Sequence, residues 1–193
     1  CDVSPSMTRI RGLLAALLPT LAIVAALLAH PAYALGHKHP IHQPVRHAHA
    51  SAPAPVHLTA GEAKAILIRA ARHHQVNPNF VLAVAYWESG WKQESISKTG
   101  AVGLMQIEPY TAVSAGPALL HRSVNLSNPV DNAELGAALL RSYLDQLHDP
   151  KLVLAAYYQG LSAVRHHGIY PSSRSYVNGI WRLRNRFQAG FIP

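Results

Sequence analysis

From Phe80 to Trp87 apolar side chains recur about every three to four positions, at Phe80, Val81, Val84, Ala85 and Trp87. That spacing marks a helix with a wide buried stripe. Asn77-Pro78 opens it, Asn as cap and Pro in the first turn, and Gly90 stops it. Upstream, Thr59-Ala60-Gly61-Glu62 reads as a capping box ahead of a helix over Ala63 to Arg72, with Ala65, Ile66, Ile68 and Ala70 on one face. Downstream, Pro109 starts a helix running to about Leu120, with a break expected at Gly116-Pro117. A loop from His121 to Asn128 precedes a long helix over Pro129 to Leu147, striped by Leu135, Leu139, Leu140, Tyr143, Leu144 and Leu147. Asp149-Pro150 caps a helix through Tyr158. A short helix to His166 follows Gly160, and a last one runs from about Ser173 to Phe187. No alternation at period two is long enough for a sheet, so the pattern predicts an all-α, compact multi-helix domain over residues 58–193.

The first 57 residues follow a different pattern. Arg9 and Arg11 precede an uncharged Leu/Ala-rich run from Gly12 to Ala29, and Ala32-Tyr33-Ala34 has the form of a cleavage site. Residues 1–34 therefore read as an N-terminal extension and export signal. A retained membrane anchor is the alternative, because the run approaches the length of the shortest spanning helices. Residues 35–57 interleave His37, His39, His42, His47, His49 and His57 with Pro40, Pro44, Pro53 and Pro55, without apolar periodicity. They read as a disordered, soluble spacer that gains positive charge as pH falls. Histidine tracts also bind zinc, nickel or copper, but the spacing here is irregular and lacks acidic or cysteine partners, so no metal is assigned. Cys1 is the only cysteine of the 193 residues, which leaves stability to packing.

One carboxylate stands out chemically. Glu88 falls in the last turn of its helix, at the negative end of the helix dipole, among Tyr86, Trp87 and Trp91. The dipole and desolvation by the aromatics both raise a carboxyl pKa, as a general acid requires near neutral pH. The competing reading is an exposed glutamate at a helix end, which is the norm for that residue.

The surrounding residues decide between them. Glu88-Ser89-Gly90-Trp91, Ser97, Gly100-Ala101, Gly103-Leu104-Met105-Gln106-Ile107, Pro109 and Thr111-Ala112 resemble, in order and spacing, the catalytic domain of soluble lytic transglycosylases. These share a superfamily with goose-type lysozymes. Further along, Asn132, Leu135 and Gly136 fit the family's helix after its long loop, and Ser175-Tyr176-Val177 fits its late tyrosine helix. Ala156-Tyr157-Tyr158-Gln159-Gly160 stands where the family has Ala-Tyr-Asn-Ala-Gly, so Tyr158 and Gln159 are departures. The resemblance covers roughly residues 66–180 and implies a lysozyme-like fold.

It also implies a reaction. Glu88 would protonate the glycosidic oxygen between N-acetylmuramic acid and N-acetylglucosamine, then act as base on the muramic C6 hydroxyl, closing a 1,6-anhydro ring without water. Most glycosidases use two carboxylates. The other candidates near Glu88 are Glu94, in a polar loop, and Glu108, directly before a helix-starting proline, and both read as solvated or helix-start charges. By the same resemblance Tyr157 bonds Glu88, and Tyr158, Gln159 and Tyr176 belong to the substrate site. Ser89 and Ser97 would hydrogen-bond Glu88 or the glycan. Gly103 and Leu104 share the motif, Met105 would line the cleft by apolar contact, and Gln106 would do so through its amide. The alternative for Tyr157, Tyr176 and Met105 is ordinary core packing. No cofactor is implied.

A formal net charge of +8 suits the anionic glycan strands of peptidoglycan. Arg182, Arg184 and Arg186 are read as a basic patch on the last helix. No nucleic-acid-binding motif accompanies the charge. The expectation is a monomeric enzyme exported to the bacterial envelope or secreted, on the membrane only if the N-terminal segment is retained. Two further readings remain: a hydrolytic muramidase of goose-lysozyme type, and a non-catalytic wall-binding module of the same fold.

Overall fold

The structure, a computed structural model, describes residues 56–191 and 193. The expected export signal, its cleavage site, Cys1 and the linker histidines before His57 lie outside them. The described chain is helical: α1 (Ala60–His73), α2 (Pro78–Ser89), α3 (Pro109–Ala115), a π-helical turn (Gly116–Leu120), α4 (Pro129–Leu147), α5 (Pro150–Gln159), α6 (Leu161–His167), a 3-10 turn (Pro171–Ser173) and α7 (Arg174–Gln188). Among the described residues no helix is long and apolar enough to cross a membrane.

The local chemistry explains the boundaries. Thr59 and Glu62 form a reciprocal capping box at the head of α1. Asn77, Asn128 and Asp149 each accept backbone N–H groups at the heads of α2, α4 and α5, each followed by proline. The expected break at Gly116-Pro117 is where α3 gives way to the π-helical turn.

Helix α2 is the centre of the packing. Residues 80–85 are all buried, and α2 lies against both α1 and α7. α4 packs on α1 and α5, and α5 on α6 and α7. Two glycines let backbones approach. A Cβ at Gly136 would lie 2.6 Å from Met105 Cγ, and one at Gly179 would lie 2.2 Å from the Trp87 ring.

Three sequence expectations are corrected here. The buried face of α1 is Ala63, Leu67, Ala70 and Ala71, whereas Ala65 is exposed. Trp87 is 45% exposed, standing edge-on to Tyr176 instead of filling the α2 stripe. The three arginines of α7 do not form one patch. Positions two apart point to opposite sides of a helix, so Arg184 lies over the Trp181 ring while Arg186 lines a groove with Tyr86 and Phe187.

Candidate active site

The segment between α2 and α3 has little regular structure, and buried amides hold it. Gly90 ends α2 in the left-handed conformation at φ 62°. Trp91 then turns inward: its indole N–H donates to Leu82 O at 3.0 Å and its ring meets Tyr86 edge-on. Isolated bridges Ile96–Val102 and Val102–Ile107 fold the segment back on itself. Asn132 of α4, fully buried, accepts from Met105 N at 2.9 Å and donates to Val102 O at 2.8 Å and Leu126 O at 3.2 Å. Gln93, also buried, donates to Leu126 O at 2.8 Å and accepts from Leu104 N. Gly103 lies between these two amides, where a Cβ would sit 2.4 Å from Asn132 Nδ2, and its φ of 80° adds a second reason for glycine.

This segment and α5 enclose a cleft of about 730 Å³, within the range of ligand sites. Glu88 lines it, half-buried, and Tyr176 Oη donates to Glu88 Oε1 at 2.5 Å. Burial pushes the Glu88 carboxyl above its ordinary range, and the Tyr176 bond pulls part of the way back. Burial and then the Glu88 charge hold the phenols of Tyr157 and Tyr176 well above their usual range, so both stay donors. The arrangement offers a carboxylic acid that holds its proton more tightly than a free glutamate and lines an open groove.

The predicted residues divide into three groups. Ser97, Gln106, Tyr157, Tyr158 and Gln159 line the cleft with Glu88. Tyr176 reaches Glu88 and stacks under Tyr158 with ring centroids 4.6 Å apart. Ser89, Gly103, Leu104 and Met105 are outside the lining. Ser89 Oγ donates to Leu104 O at 2.9 Å and Ala85 O at 3.1 Å, tying the segment to α2. Met105 is fully buried against Gly136, so its apolar contact is with the core and not the cleft.

Several contacts differ from those expected. The phenol on Glu88 is Tyr176, whereas Tyr157 Oη donates to Met105 O at 2.8 Å. The Gln106 amide donates to Ser95 O and Gly103 O, holding the turn in which Gln106 itself has a φ of 46°. Both ends of the Gln159 amide brace the next loop, donating to Gly168 O at 2.8 Å and accepting from Tyr170 N at 3.1 Å.

Glu108, read from the sequence as a solvated or helix-start charge, is a second acid in the cleft. Glu108 is the cap residue of α3, but its side chain makes no capping bond. It lines the cleft instead and accepts from Thr99 Oγ1 at 2.7 Å. A carboxylate before a helix-starting proline looks like a cap, and only the fold of the preceding loop reveals Thr99 as its partner. Glu94 lies outside the cleft lining, 3.6 Å from His57. Tyr143, read as part of a core stripe, also borders the groove.

Comparisons with known proteins match this architecture. The Transglycosylase SLT domain family model matches residues 65–178. A transglycosylase of Enterobacteria phage PRD1 is 37% identical over 91 residues, covering 47% of this chain and 32% of that protein. The membrane-bound lytic murein transglycosylase C of Haemophilus influenzae is 25% identical over 138 residues, covering 61% of this chain and 39% of its own length. The chain thus spans about a third of the length of these relatives. The crystal structure of the 70 kDa soluble lytic transglycosylase of Escherichia coli superposes with a TM-score of 0.59 at 24% identity, covering 65% of this chain and 24% of that one, which shows a shared fold.

Proposed function

The chain belongs to the Transglycosylase SLT domain family, and on that premise we propose that it cleaves peptidoglycan glycan strands as a lytic transglycosylase. The observation that carries this reading is Glu88, a half-buried carboxyl raised by burial, held by Tyr176 and facing the cleft. As the bond between muramic C1 and the glucosamine O4 breaks, Glu88 gives its proton to O4. The Glu88 carboxylate then takes the proton of the muramic C6 hydroxyl, and O6 bonds to C1. The products are a free glucosamine end and a 1,6-anhydromuramic end, and the acid is restored. The substrate's N-acetyl group shares the positive charge that develops at C1.

Other side chains take supporting parts. The Tyr176 phenol orients the acid. Tyr158, 58% exposed and stacked on Tyr176, offers a ring face to a sugar. Ser97 and Tyr157 border the same space. The net charge of +8 draws an anionic wall polymer, which is consistent with work in the bacterial envelope or outside the cell.

One observation favours a second reading, a hydrolytic muramidase: Glu108 lines the same cleft and is positioned by Thr99. A second carboxylate is what a water-activating base requires. Mass spectrometry of purified peptidoglycan digested by the full chain separates the two. Anhydro ends, lighter by one water, support the transglycosylase; reducing muramic ends overturn it in favour of hydrolysis.

A further inference from the structure

We propose that His73, His74 and Glu134 form a binding site for a divalent transition metal of the zinc type, which ties the end of α1 to α4 away from the cleft. His73 Nδ1 and His74 Nε2 each lie 2.7 Å from Glu134 Oε2, and the three atoms lie within 4.8 Å of one another. Zinc bonds to imidazole nitrogen and carboxylate oxygen place tetrahedral ligand atoms about 3.3 Å apart. Small side-chain adjustments bring this cluster to that spacing.

The convergence is the telling feature. Two imidazoles meet one carboxylate oxygen. Here both point at Oε2, and Oε1 takes no hydrogen bond among the described residues. The three ligand atoms lie close enough for one ion to bind all of them once Oε2 moves out from between the rings. Two imidazoles and one carboxylate suit zinc, and the set lacks the several oxygens that calcium or magnesium demands.

The surroundings fit a cation. His73 closes the last turn of α1 and His74 is its C-cap, so the negative end of that helix faces the site. Arg141 is drawn to Asp145 and to Gln75 O. The side chains of His74 and Glu134 are 15% and 13% exposed and form the fixed half, whereas that of His73 is 69% exposed and leaves an entry path and a fourth position for water.

The consequence is structural. None of the three residues lines the cleft. Glu134 is two positions from Asn132, the amide that holds Met105 N and Val102 O. A metal bridging α1 and α4 would fix the stretch of α4 on which the cleft segment hangs.

The test uses the full chain with His37, His39, His42, His47 and His49 changed to Ser, so that the linker does not compete for metal. Zinc is expected to bind at one equivalent and to raise the Tm by roughly 5–10 °C at about a hundred times its dissociation constant. Cobalt(II) is expected to give the strong visible bands of a four-coordinate ion. His73→Ala removes an exposed side chain, and Glu134→Gln keeps the shape of its site. Each should weaken zinc binding about tenfold or more and cut the Tm rise at the same zinc concentration to about half or less. The proposal is overturned if zinc leaves the parent Tm unchanged, or raises it equally in both variants.

Discussion

On one side of the cleft, residues 101–107 hang from two buried amides: Asn132 reaches Met105 N, Val102 O and Leu126 O, and Gln93 reaches Leu104 N and Leu126 O. On the other side, α5 and α7 present phenols packed on one another, Tyr158 over Tyr176 and Tyr176 against Trp87. The amide side is dry and directional, so a lost partner strands a buried polar group. The aromatic side is partly open to solvent and rests on contact area, which can be lost piecemeal. Damage to the first should appear as lost stability, and damage to the second as lost rate.

The largest effect is expected where the two sides meet. Glu88→Gln keeps an acceptor for Tyr176 but cannot give up a proton, and should lower turnover of purified peptidoglycan about a thousandfold with circular dichroism unchanged. The same variant tests the environment of the acid. Burial raises the folded-state pKa of Glu88 above its unfolded value, so the contribution of this group to stability is full below the ordinary glutamate range. It is lost as pH rises through the raised value. Glu88→Gln should therefore gain Tm over the parent on the alkaline side of that window, with the gain vanishing in acid. A constant offset across pH would contradict the assignment.

Next comes the amide side. Asn132→Ala strands the Met105 N–H, whereas Val102 O keeps Ile107 N and Leu126 O keeps Gln93. The expected loss is about 2–3 kcal/mol in urea unfolding. An unchanged midpoint would remove the distinction between the two sides.

Tyr176→Phe tests the aromatic side. Packing survives, but Glu88 loses its donor, and turnover should fall about tenfold. Because that bond lowers the Glu88 pKa, the alkaline limb of the pH–rate profile should move to higher pH. The smallest effect is expected from Gln159→Ala. Its amide braces the loop at Gly168 and Tyr170, so the Tm should drop by a few degrees while product masses stay the same.

Helix limits were legible because their determinants are local: the capping box at Thr59, the Asn-Pro and Asp-Pro pairs, and Gly90 all act within a few residues. That Glu88 faces the cleft was legible for a different reason, since it lies in a motif whose spacing resembles a known family. Partnerships across the fold were not. Tyr157 and Tyr176 look equivalent in sequence, and only the docking of α7 on α2 decides which phenol meets Glu88. Gln93 and Glu108 carry polar side chains in polar stretches, so nothing nearby distinguishes a buried brace or a cleft acid from a solvated loop residue. Ala65 and Trp87 lie outside the buried faces expected for them, and Leu67 lies inside one, because periodicity gives the spacing of a stripe and not which neighbour covers it.

The acid and its phenol are separated by 88 positions. During synthesis the helix bearing Glu88 leaves the ribosome long before the one bearing Tyr176. On the proposed reading the protein cuts cell wall, an activity dangerous to the cell that makes it, and the proposed proton donor stands unsupported until α7 arrives. A message cut short before codon 176 would yield a chain that carries the weapon without its trigger.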